Sequence, residues 1–67
     1  MTIGQKIKQL RKQRGLTQER LGQEIFYGQK TVSQWECGKF EPSLGAAKRL
    51  CKYFNITFEE LMKGVDE

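Results

Sequence analysis

At 67 residues the chain has room for one domain with a small core, which must be well capped and packed, or self-associate, to be stable. Two cysteines, no C-x-x-C pair and no histidine argue against a disulfide framework, a metal site or a cofactor-bearing centre, and both thiols are expected to be reduced. The net charge of +4 is unevenly spread: residues 1–39 hold eight Lys/Arg against three Asp/Glu, residues 40–67 four against five, so the N-terminal half favours a polyanionic partner.

The apolar periodicity predicts five helices and no strand. The first spans about 2–13, with Ile3, Ile7 and Leu10 on one stripe and Gly15 as terminator. Arg11 sits at the edge of that stripe, four residues after Ile7. The second helix begins at Thr17, an N-cap residue, with Leu16 and Leu21 at the spacing of a hydrophobic staple. Leu21 and Ile25 face the core. Gly22 between them costs about 1 kcal/mol against alanine, which implies a close crossing by a neighbouring helix.

Phe26-Tyr27-Gly28 is a break, and a third helix follows over about 28–37, ending at Gly38. Lys39 to Pro42 is a loop, because proline pushes Glu41 out of the helical region. Ser43 caps a fourth helix whose expected buried stripe is Leu44, Ala47, Leu50, Cys51 and Phe54, with Asn55 as a left-handed terminator. Thr57-Phe58-Glu59-Glu60 is a capping box, Ile56 and Leu61 form a second staple, and the tail 65–67 is expected to fray. No apolar run reaches the length of a membrane span and no signal-peptide pattern opens the chain, so a cytoplasmic protein is expected. With no nucleophile–base pair and no small-molecule site in view, an enzyme is not expected.

The third helix has two unlike faces. Val32, Trp35 and Glu36 share one side; Gln29, Lys30, Ser33, Gln34 and Cys37 share the other. The first side buries itself. The second is a strip of hydrogen-bonding groups of the kind that reads base edges in a major groove. Glu36 and Arg11 each lie beside an apolar stripe, where an isolated charge is expensive, so an Arg11–Glu36 ion pair between the first and third helices is expected. Trp35 is read as core.

With LRKQRGLTQERL, TVSQWECGK and EPS at these spacings, the chain resembles the Xre-type helix-turn-helix family of phage repressor and Cro-like proteins from Ile3 to about Met62. The resemblance implies a compact all-α, five-helix lambda-repressor-like DNA-binding domain over 1–67, its helix-turn-helix at about 17–38 and its recognition helix at about 28–37. It also implies a transcriptional regulator, a repressor that binds a palindromic double-stranded operator as a homodimer. By the same resemblance Gln29, Lys30, Ser33 and Gln34 reach bases. Gln18, Thr31, the backbone around Cys37, Lys39, Arg14 and Tyr27 meet phosphates, and Phe58, Leu61 and Met62 form the dimer contact. An antitoxin or protein-interaction module that also autoregulates is the alternative.

Phe26 stands where the family usually closes the second helix with glycine. It either alters the turn or bears about 1–2 kcal/mol of left-handed strain. Gly28 stands in place of the usual Ser/Thr cap.

Overall fold

Four of the five helices begin where a hydroxyl side chain supplies the acceptor that the first turn lacks. In the computed structural model, which describes residues 1–66, the order is α1 (Ile3–Gln13), α2 (Gln18–Ile25), α3 (Gln29–Glu36), α4 (Leu44–Phe54) and α5 (Phe58–Met62). No strand occurs among the described residues. Thr2, Thr17, Ser43 and Thr57 accept from the amides of Gln5, Arg20, Ala46 and Glu60 at 3.0–3.1 Å. Gln5 and Glu60 return the bond to the backbone of Thr2 and Thr57, so α1 carries a capping box in addition to the one expected at α5. Gly28 caps α3 with no side-chain bond.

The core is one cluster built by the first four helices: Ile7 from α1, Leu21 and Ile25 from α2, Val32 and Trp35 from α3, and Ala46, Leu50 and Phe54 from α4; α5 buries Leu61. α3 packs on α2 and α1, and α4 packs on α2 and α5. A glycine permits the α1–α3 approach. A Cβ on Gly4 would stand 1.9 Å from the carbonyl oxygen of Trp35, so no side chain fits between these backbones. Gly22 serves a different contact from the helix crossing expected of it. Its missing Cβ would stand 2.5 Å from the carbonyl oxygen of Tyr27, and it therefore seats the α2–α3 turn.

Three expectations change. Leu44 lies at the first position of α4 with its side chain turned out, and Ala46 takes the buried place instead. Cys51 is only half-buried. The tail is tied down as far as it is described, since the amide of Val65 donates to Met62 and that of Asp66 to the carbonyl of Met1 at 2.8 Å. Glu67, the last residue of the expected frayed segment, lies outside the described residues.

Candidate nucleic-acid interface

α3 is fixed to the rest of the molecule by charge as well as by apolar packing. Arg11 donates from Nε to Oε2 of Glu36 at 2.7 Å and from Nη2 to Oε1 at 2.9 Å, a bidentate fork. Its remaining Nη1 donates to the carbonyl of Leu16 at 2.8 Å, and Gln18 Nε2 adds a 3.1 Å bond to Glu36 Oε1. The side chains of Arg11 and Glu36 are only 10% and 4% exposed, so the charges are desolvated and their bonds must be complete. The hydrogen bond to Glu36, helped by that carboxylate's charge, raises the Arg11 guanidinium above its ordinary pKa against the opposing effect of burial. One network thus joins the end of α1, the start of α2 and the last residue of α3.

That anchorage determines which side of α3 is free. Val32 and Trp35 are buried, while Gln29 and Lys30 are exposed at the first turn and Ser33 and Gln34 are half-exposed on the same flank. Thr31, between them, is half-buried. The polar strip is therefore packed neither into the core nor under another helix. Because Gly28 brings no side chain to the first turn, the leading amides of α3 meet no side-chain cap, and this positive helix end is open to an anion.

Among the other sequence-derived candidates, Lys39 stays exposed beyond α3, its Nζ 5.8 Å from the ring centroid of Phe40. Gln18 is half-buried with its amide turned inward onto Glu36. Tyr27 packs edge-on against Trp35, with 5.2 Å between centroids. Arg14, exposed, points to the end of α4, donating to the carbonyl of Phe54 at 2.9 Å with its guanidinium over Tyr53 and Phe54. The backbone around Cys37 has no amide to offer. The N–H groups of Cys37, Gly38, Lys39 and Phe40 all close onto carbonyls of Ser33, Gln34 and Trp35, and the Cys37 thiol donates to Gln34.

Away from the α3 strip, Leu44, Phe58 and Met62 are 67%, 55% and 37% exposed and line a groove together with Ile3 and Ala47. Leu61 is removed from the expected contact set. It is fully buried in its own core and has no surface left for a partner.

Sequence reasoning missed Gly4, the inward turn of Gln18 and the role of Arg14. Only Gly4 left a signal: it lies three residues before Ile7 and seven before Arg11, on the buried stripe of α1.

Five short helices, with a tight turn presenting an open polar flank on the third, define a helix-turn-helix DNA-binding domain. The family model described as "Helix-turn-helix" matches residues 7–61, and the chain belongs to that family. It is 36% identical over 64 residues to the HTH-type transcriptional activator BcrR of Enterococcus faecalis, covering 96% of this chain but only 31% of the activator's length. It is 38% identical over 56 residues to the HTH-type transcriptional regulator YgzD of Bacillus subtilis, covering 84% and 85% of the two chains. The P22 c2 repressor in complex with a synthetic operator superposes with a TM-score of 0.86 at 28% identity, over 96% of this chain and 97% of that one. The fold is the lambda-repressor-like one, and these relatives are transcriptional regulators rather than enzymes. No described helix is long and apolar enough to cross a membrane.

Proposed function

We propose that this chain binds double-stranded DNA sequence-specifically as a two-fold homodimer on a palindromic operator, and acts in the cytoplasm as a repressor of transcription. The observation that carries the reading is the open polar flank of α3, held rigid from behind by the buried Arg11–Glu36 pair. Gln29 and Gln34 have the amide geometry to pair bidentately with adenine, and Lys30 suits the acceptors of guanine. Ser33 supplies a shorter donor beside them. Thr31, Lys39, the Tyr27 hydroxyl and the uncapped amides of α3 hold phosphates and set register without reading sequence. The apolar rim formed by Leu44, Phe58 and Met62 supplies the contact between two copies, at the opposite chemical extreme from the reading surface.

Selection of bound duplexes from a random pool at low and high salt tests this. The expected product is an inverted repeat with half-site centres about 34 Å apart, or one helical turn, enriched more stringently as salt rises and non-specific binding falls away. Recovery of unenriched duplexes at both salt concentrations overturns the reading.

A further inference from the structure

Two helices end on a non-glycine residue in the left-handed region: α2 on Phe26, at φ 64°, and α4 on Asn55, at φ 56°. Asparagine tolerates that region because its short polar side chain can bond locally. Phenylalanine has no such bond, and Phe26 gains nothing from burial, since 82% of it is exposed. The turn that launches α3 is therefore strained at a residue whose side chain does not hold it in place.

The missing hold comes from α4. Arg49 Nη1 donates to the carbonyl of Ile25, the last residue of α2, at 3.3 Å. Its guanidinium carbon lies 5.9 Å from the ring centroid of Phe26 and 5.3 Å from that of Tyr27. One planar cation thus satisfies a terminal carbonyl, sits at the negative end of α2 and covers both aromatic rings of the turn. Tyr27 passes the constraint on, because its amide donates to Gly22 at 2.8 Å while its ring abuts Trp35 of α3. Gly28 then starts α3 without a side-chain cap, so at this end of the helix, remote from the Glu36 anchor, the placement of Gln29 and Lys30 rests on the turn as well as on packing.

We infer that Arg49 is a positioning residue for DNA reading: it clamps the Phe26–Tyr27 turn and so sets the aim of α3, without touching a base. This rests on the proposed reading of α3. The molecule contains its own control, because Arg14 makes the equivalent clamp at the end of α4, over Tyr53 and Phe54, where no reading segment follows.

The test measures affinity for the selected operator and for a random duplex, the salt dependence of each, and the melting temperature. It uses Arg49→Met, Arg49→Lys, Arg14→Met and Arg49→Met combined with Phe26→Gly. Arg49→Met is expected to bind the operator about tenfold more weakly, the scale of one charge-assisted hydrogen bond, with random-duplex affinity and salt slope unchanged. Arg49→Lys fails to restore the operator affinity, since an ammonium cannot lie flat over two rings while donating to a carbonyl. Phe26→Gly in the Arg49→Met background restores it, because glycine takes the left-handed conformation without strain. Arg14→Met lowers the melting temperature but leaves the operator-to-random ratio alone. If Arg49→Met is unfolded at the assay temperature, Arg49→Lys carries the same comparison.

Equal losses on both duplexes, or a salt slope reduced by about one together with rescue by lysine, make Arg49 an ordinary phosphate contact and overturn the inference. Unchanged operator affinity also overturns it. Failure of the unmodified protein to prefer any duplex is a different result, which removes the DNA reading rather than the role of Arg49.

Discussion

α3 and the α4–α5 face both leave sizeable side chains in contact with solvent, but with opposite chemistry and opposite support. The exposed flank of α3 is polar, and behind it lies a closed ionic network of Arg11, Glu36, Gln18 and the Leu16 carbonyl. The exposed rim of α4 and α5 is apolar, and the groove it borders is also lined by the buried Leu61 and Ala47, with no buried ion pair among them. Polar recognition is directional, so the reading surface needs an orientation fixed within tenths of an ångström, which bidentate hydrogen bonds supply. Apolar association is non-directional and tolerates a surface that is only roughly shaped. The contrast teaches that this small domain concentrates its buried charge where aim matters.

The strongest way to break that contrast is to remove one partner of the network. Glu36→Ala leaves the Arg11 guanidinium buried with no counter-charge, and a loss of about 3–5 kcal/mol is expected in urea unfolding. A loss below about 1 kcal/mol would show that water already screens the pair as it does at a surface. At the α4–α5 rim, Phe58→Glu places a charge on the apolar surface without entering the core. Unfolding stability should be nearly unchanged, while sedimentation should show a monomer and operator affinity should fall on the order of a hundredfold through lost bivalency. A variant that remains dimeric would move the interface elsewhere.

The smallest expected effect concerns the start of α5. Glu60 accepts from the Thr57 amide at 2.9 Å, and this bond, helped by the Thr57 hydroxyl and the nearby charge of Lys63, draws its carboxyl below the ordinary glutamate pKa. A folded-state pKa below the unfolded one contributes stability that is complete above the unfolded value, about 4.3. That contribution is lost as pH falls through the lower, folded value. The melting temperature should therefore drop slightly more between pH 5 and pH 3 in the unmodified protein than in Glu60→Gln, whose amide oxygen remains an acceptor at every pH. Parallel curves would mean that the box contributes nothing measurable.

The helices, the caps of α2 to α5 and the Arg11–Glu36 pair were legible because each depends on near neighbours or on helical spacing that can be read along the chain; the Thr2–Gln5 box of α1 was not read. A Thr three residues before a Glu announces α5, and two opposite charges beside two apolar stripes announce a pair. Leu44 and Leu61 were misassigned because a helical stripe gives the direction of a side chain but not what stands opposite. Leu44 is left exposed at the start of α4, whereas Leu61 is fully buried. The clamps made by Arg14 and Arg49 join residues 40 and 24 positions apart, and nothing local in either arginine marks it as a cap rather than a solvated charge. For the second clamp a hint existed, since a phenylalanine in a left-handed turn needs outside support.

The central claim, that the free flank of α3 reads bases while Lys39 only holds the backbone, is tested most directly by comparing operator and random-duplex affinities of Gln34→Ala and Lys39→Ala. Gln34→Ala should cost about 1–3 kcal/mol on the operator alone and relax preference at one base pair. Lys39→Ala should weaken both duplexes alike and reduce the salt slope by about one. Identical losses on both duplexes for the two variants would contradict the account, because α3 would then be gripping DNA without reading it.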